Sequence, residues 1–310
     1  MEKLTTLKTV ATQVNKLSAH CFDDTINVDD ISFDNLNVIR IAGEEHALRP
    51  VAQRAVANRL GIPYFYLKRC PEDIQATNLN HWIQEERNDQ LFIRFDGQDV
   101  RAVFTTKYKP VDNFEVMERL DSLGYRPETE VQCSLDPDFL SLSIPDGNKL
   151  FDINGDRFKP GISISNSEVG LASLSVGCFC IRLICSNGLI SKTETSASFR
   201  HVSNRILDEF PDVLEKVSYE LGAQRHQFKL SMESPVDDPM STLTSFNRQF
   251  GLNADEKSAV DWGWSKEFGD RMFHIIQAYT RASQFESLPA ESSHRLQKVG
   301  GNILAMVSSN

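Results

Sequence analysis

The sequence predicts an α+β protein: a curved antiparallel sheet backed by helices over residues 1–200, followed by a mostly helical region over 201–310. Three observations carry this. Short runs of alternating apolar and polar residues, separated by turn signals, recur between Ile31 and Ile190, as in half-buried strands. The most strongly patterned of these is Gly161–Ile190, GISISNSEVGLASLSVGCFCIRLICSNGLI, which turns from one apolar strand into another. Beyond Thr195 the apolar residues recur at helical spacing instead.

The elements follow in order. Ile31–Ile41 (ISFDNLNVIRI) alternates as a strand does. From Ala47 the period changes. Val51, Ala55, Val56, Leu60 and Ile62 fall at helical spacing, with Gly61 where a helix C-cap is expected. The following IPYFYLKRC places Pro63 at the usual first-turn position of a second short helix. Gln90–Phe95 and Val100–Tyr108 flank Asp96-Gly97-Gln98-Asp99, a strong hairpin signal. Pro110 ends the second strand, and Asp112 is placed to cap a helix over Asn113–Leu123 that stops at Gly124. Strands are expected at Glu130–Leu135 and Phe139–Ile144, before the turn signature Pro145-Asp146-Gly147-Asn148. Ile162–Ser165, Ala172–Val176 and Phe179–Cys185 complete the sheet. In Val202–Leu221, Ile206, Phe210, Val213, Leu214, Val217 and Leu221 share one helical face, interrupted by Pro211. Phe268–Ser283 and Ser292–Val307 are the clearest later helices, and the Pro- and Asp-rich Met232–Met240 is the expected linker.

Composition narrows the function classes. With 310 residues, 40% of them hydrophobic, the chain can bury one large core or two ordinary ones. A net charge of −10 argues against broad capture of duplex nucleic acid, although it leaves room for a local basic groove. The six cysteines form no CxxC pair, and Cys178, Cys180 and Cys185 in their apolar strand read as buried thiols. The histidines form no HxxxH or HxH, so no metal site and no cofactor is expected. MEKLTTLKTVATQVNKL lacks a signal-peptide core and no apolar run is long enough to span a membrane, so a cytoplasmic, reducing location is expected.

Several motifs read as structural. Gly170, Gly177 and Gly188 lie too far apart to cradle a phosphate and are expected to shape turns and bulges. Ser186-Asn187-Gly188 reads as a tight turn, and Ser186 has no partnered base. The aromatics of Trp262-Gly263-Trp264, Phe268, Phe273, Tyr279 and Phe285 read as core or subunit interface. Arg200-His201, before a helix that Ser203 is placed to cap, suits either phosphate binding or a hydrogen bond to a backbone carbonyl. Lys107 and Lys109 flank Tyr108 at the end of a hairpin strand. That pattern fits a surface tracking single-stranded nucleic acid, and equally lysines that protect a sheet edge. Arg94, Arg101, Arg182 and Lys192 would extend it into a basic stripe.

Four blocks taken together carry a family resemblance. They are Ala47–Arg69 ending in LGIPYFYLKR, the hairpin strand running into TTKYKPVDN, the central segment with the downstream SFRHVSNRI, and MFHIIQAYTRASQF with HRLQKVGGNIL. In that order they resemble the uncharacterised phage/plasmid-like protein family, over roughly residues 45–307. Relatives often carry Asp after the Asn-Ser and a small residue before the Gly, where this chain has Asn166-Ser167-Glu168-Val169-Gly170. The resemblance implies a mobile-element setting. Such elements often encode single-strand annealing proteins, some resembling the eukaryotic strand-annealing mediators, whose curved sheets backed by helices assemble into rings. The leading expectation is a non-enzymatic homo-oligomer that binds single-stranded nucleic acid in recombination or replication. Its expected contacts are Arg101, Lys107, Tyr108, Lys109, Arg182, Lys192, Arg200 and His201, with Tyr108 stacking on a base. The alternatives are a phage-type interaction or counter-defence factor binding a host protein through an acidic, aromatic surface, and a small-molecule or nucleotide enzyme using His201 with Arg200.

Overall fold

Among the described residues the alternating runs fold into two sheets, one of seven strands and one of six. The structure is a computed structural model that describes residues 3–183, 189–199, 206–220 and 224–307. The α+β class is the one expected, with antiparallel pairing everywhere except between β5 and β7 as defined below.

The chain opens with β1 (Lys3–Thr6) and α1 (Leu7–Ser18), whose first turn is capped by the Thr6 hydroxyl accepting from the Thr9 N–H. β2 (Cys21–Asn27), β3 (Ile31–Phe33), β4 (Val38–Ile41) and β5 (Glu44–Leu48) follow. The run Ile31–Ile41 is therefore a hairpin and not one strand. The Asp34 and Asn35 N–H groups donate to the Val38 carbonyl and reverse the chain. Next come α2 (Pro50–Arg59), which begins at its Pro and ends just before Gly61 at φ +68°, then α3 (Tyr64–Leu67) and α4 (Glu72–Ile83). β6 (Gln90–Asp96) and β7 (Asp99–Thr105) form the expected hairpin. α5 (Asn113–Ser122) starts after Asp112, with Glu115 accepting from the Asp112 N–H at 2.8 Å.

β8 (Glu130–Leu135), β9 (Leu140–Pro145), β10 (Phe151–Ile153), β11 (Asp156–Asn166), β12 (Leu174–Arg182) and β13 (Leu189–Phe199) belong with β1 to the larger sheet. Its order is β1-β8-β9-β11-β12-β13, with β10 also on β11; the smaller sheet runs β2-β6-β7-β5-β4-β3. The two short strands expected between Ala172 and Cys185 are one strand, β12, irregular at Gly177. The Ser/Thr-rich KTETSASF lies in β13. Among the described residues six helices follow: α6 (Ile206–Glu220), α7 (Gln224–Glu233), α8 (Pro239–Gln249), α9 (Ala254–Glu267), α10 (Met272–Ala282) and α11 (Ala290–Val307).

Among the described residues three large cores hold these layers, beside the smaller pair Phe179 and Ile181. Ile39, Leu48, Ile93, Phe95, Val100 and Val103 of the smaller sheet bury themselves against α2 and α4. Leu140, Leu142, Ile162, Ile164 and Val176 of the larger sheet meet α1, α5 and α6. The C-terminal helices gather around Phe158, Cys180, Phe228, Phe273 and Tyr279. Each such side chain, fully buried, contributes about 1.5–3 kcal/mol. Cys133, Cys178 and Cys180 are buried cysteines outside any disulfide, whereas Cys185 lies outside the described residues.

The other face of the larger sheet is polar. Ser134, Ser141, Ser143, Ser163 and Ser165 alternate with the apolar residues above and are all buried. α11 lies against β8, β9 and β13 and brings buried Ser293, His294 and Gln297. Ser141 meets His294 Nδ1 at 3.3 Å. α9 and α10 cross as closely, since a Cβ on Gly263 would sit 2.2 Å from the Ala278 carbonyl oxygen. The segment Met232–Met240, expected as a linker, is strapped down: Pro235 bridges Arg271, and the buried Val236 donates its N–H to the Asp270 carbonyl. Among the described residues no helix is long and apolar enough to cross a membrane.

Candidate functional site

The β6–β7 hairpin carries Arg94 and Arg101, and a bulge decides where they point. Arg94 pairs with Ala102 and Phe95 with Val100, so Arg101 is the extra residue. Residues three apart on a regular strand face opposite ways. The bulge lets Val100 and Val103 both reach the core, while Arg101 turns to the far face with Arg94.

Asn166–Gly170 crosses that face, and its Glu168 is the hub. The Glu168 carboxylate pairs with the Arg101 guanidinium through one oxygen and accepts the Asn113 N–H at 2.6 Å through the other. Asn113 is the first residue of α5, so this negative charge also meets the positive end of a helix. The Glu168 carbonyl accepts from Arg94 at 3.1 Å and from the Tyr108 hydroxyl at 3.3 Å. Arg94 spends its remaining donors on Asp23 and Asp112. Burial opposes its charge, yet those carboxylates hold the Arg94 guanidinium above its ordinary value. Asn166 donates to the Val111 carbonyl and to Asn113 Oδ1, and Ser167 donates to the Asp138 carbonyl. The segment thus ties the end of β11 to β6, β7 and α5, joining the two sheets.

Beyond the hub lies an open cleft of about 580 Å³, bordered by Arg54, Asn58, Arg59, Phe104, Gly170 and Leu171. Gly170 is required there twice over. Its φ is +86°, and a Cβ would fall 2.8 Å from the Phe104 ring. Arg59 pairs with Glu86 at 3.5 Å. Arg54 is exposed, with its guanidinium 5.5 Å from the centre of the Tyr64 ring. The turn bearing Lys107 and Lys109 is pinned to the cleft's rim by Tyr108, which stacks on Phe104 with ring centres 3.8 Å apart. Among the described residues no group of three or more His, Cys, Asp and Glu side chains is arranged to hold a metal.

Residues 100–237 match the family model of a domain of unknown function (DUF932). No curated protein and no solved structure matches the chain. The DUF932 span begins beside Arg101 and includes Asp112, Asn113 and Asn166–Gly170, so it holds most of the hub. Asp23, Arg94, Arg54 and the α2–α3 region lie outside it. The hub and the cleft are therefore built across the edge of the DUF932 match.

The expected contact residues separate into three groups. Lys107 and Lys109 are exposed, although in a turn beyond the end of β7 and not on the strand. Arg94 and Arg101 are no surface stripe: each is 3% exposed and neutralised by carboxylates distant in sequence. Arg182 pairs with Asp156 and lies with its guanidinium 4.7 Å from the Phe273 ring centre, which ties β12 to α10. Tyr108 has one ring face on Phe104 and its hydroxyl on Glu168, and burial pushes that hydroxyl up to about 12, so it anchors the turn and does not offer a free base-stacking face. Lys192 sits on β13 opposite Phe179, and Arg200 and His201, like Ser186-Asn187-Gly188 and Ser203, lie outside the described residues. Sequence reasoning missed Arg54 and the aromatics of α3. For the aromatics the signal was present in LGIPYFYLKR, where three consecutive aromatics are followed closely by two cations.

Proposed function

We propose that this chain is a non-enzymatic protein that binds single-stranded nucleic acid, acting as a cytoplasmic homo-oligomer in the recombination or replication of a mobile element. The observation that carries the reading is the grouping around the cleft. Arg54 lines it, Tyr108 fixes the Lys107–Lys109 turn to its rim, and none of these three cations has an ion pair among the described residues. Cations without ion pairs beside an open cleft suit a flexible polyanion. The net charge of −10 is compatible with this, because binding follows the local field and not the sum.

The test is a fluorescence anisotropy titration of labelled oligodeoxythymidylate and oligouridylate at low salt. Binding that weakens steeply with added salt, and a Lys107→Glu/Lys109→Glu variant with a shallower salt dependence, are expected. No binding of either oligonucleotide by the folded wild-type protein sinks the reading.

A second reading, a counter-defence factor docking on a host protein, draws on Phe268, 74% exposed at the end of α9, and on the open pocket of about 570 Å³ that Trp262 and Phe285 border. Here a host protein recovered by the wild type and lost with Phe268→Ser is expected. Recovery of nucleic acid alone counts against it.

A further inference from the structure

α3 is a single turn whose sequence, Tyr64-Phe65-Tyr66-Leu67, splits sharply by environment. Leu67 is fully buried in the core under the smaller sheet, and Tyr64 is half-buried with its hydroxyl donating to Gln53 Oε1 at 3.3 Å. Phe65 and Tyr66 project outward, 77% and 50% exposed. Among the described residues Phe65 is the most exposed of the large hydrophobic side chains, yet it is held in place: its ring meets Tyr64 edge-on at 5.6 Å, and Tyr64 is anchored below. Two apolar rings on a short, rigid turn lose little entropy when they bind something flat.

Three cations lie close to these rings. Arg54 and Lys68 flank the Tyr64 ring at 5.5 and 6.0 Å, and Arg69 follows, exposed. Among the described residues none of these three cations takes part in an ion pair or a side-chain hydrogen bond, although Arg40, Arg49 and Arg295 are each held by carboxylates. The next carboxylates along the chain, Glu72 and Asp73, open α4, where they complement that helix's own N-terminal dipole.

We infer that Phe65 and Tyr66 form a base-stacking platform for single-stranded nucleic acid, with Arg54, Lys68 and Arg69 on the flanking phosphates. This rests on the function proposed above and adds to it the part of the ligand that is read: unpaired bases, so that single strands are preferred to duplex. Arg54 belongs both to this platform and to the edge of the cleft, which the Arg59–Glu86 pair also lines, so the two regions share one cation. Aromatic stacking supplies affinity that salt does not screen, whereas phosphate contacts supply the salt dependence.

The test compares wild type, Phe65→Ala/Tyr66→Ala and Lys107→Glu/Lys109→Glu with oligodeoxythymidylate, oligouridylate, an abasic oligonucleotide of equal length and a duplex. Both altered pairs are exposed, and denaturation curves matching wild type confirm that the variants fold. On this inference the aromatic double variant binds each single strand about tenfold or more weakly with an unchanged slope of log affinity against log salt, and loses the preference for bases over abasic sites. The lysine variant lowers the slope and keeps that preference. If the aromatic variant binds as wild type does while the lysine variant is weakened, the platform is overturned and the nucleic-acid reading stands. If the wild type binds no oligonucleotide, both fall.

Discussion

Arg101 and Glu168 form an ion pair in the seam between the two sheets, with side chains 4% and 9% exposed. They are 67 residues apart in the chain, so neither is neutralised until β7 and the end of β11 have come together. A buried guanidinium with its partner in place is tolerable; one without it is not. The pair therefore makes docking of the two sheets close to all-or-none.

Glu168→Ala is expected to destabilise by about 3–5 kcal/mol, because Arg101 is left charged and buried. Glu168→Gln keeps an acceptor for the Asn113 N–H, and combined with Arg101→Met it is expected to recover most of that loss. Urea unfolding of the single and double variants checks this. A Glu168→Ala variant within 1 kcal/mol of wild type contradicts it, that margin being about what an exposed pair is worth.

The serine-lined face of the larger sheet supports a contrast between two neighbours on β9. Ser143 is wholly buried, and its hydroxyl has no partner among the described residues, whereas Ser141 meets His294. Ser143→Ala is expected to leave stability unchanged or raise it by up to about 1 kcal/mol, since a desolvated, unsatisfied hydroxyl is removed. Ser141→Ala is expected to cost about 1 kcal/mol. Thermal unfolding of the two variants decides the matter, and the reverse order counts against this account of the α11 interface.

His274 gives a pH dependence with a definite sign. Burial is the main cause that pulls its imidazole below the ordinary value, and its Nδ1 accepts from the Arg271 N–H at 3.2 Å. A depressed folded value means that the unfolded chain binds the proton more readily. The associated stability is present above the unfolded value of about 6.5 and is lost as pH falls through the folded one. Wild type is expected to lose stability between about pH 7 and pH 5 more steeply than His274→Gln. Parallel denaturation midpoints for the two proteins across that range contradict this.

Much of the fold was readable in the sequence because its signals are local. Asp96-Gly97 made the β6–β7 hairpin, Gly61 ended α2, and Asp112 with Glu115 opened α5. The division into two sheets was not readable, because β1 pairs with β8 and β2 with β6 across long stretches of chain, and alternation does not say which strand is the neighbour. Ile31–Ile41 looked like one strand because a hairpin with a polar turn keeps much of the same alternation. At the candidate site, Lys107, Tyr108 and Lys109 stand out as a motif in the sequence, while Phe65 and Tyr66 read as residues of a short helix whose exposure the sequence does not show.

By itself, the sequence determined the α+β class and most turns and helix ends. These follow from backbone sterics and side-chain period, which act within a few residues. Only the tertiary structure decided which charges meet solvent. Arg101 and Arg182 look as free in the sequence as Lys107 and Arg54, but distant Glu168 and Asp156 claim the first two. A charge is buried where an opposite charge arrives to compensate it, and that arrival depends on how the whole chain closes.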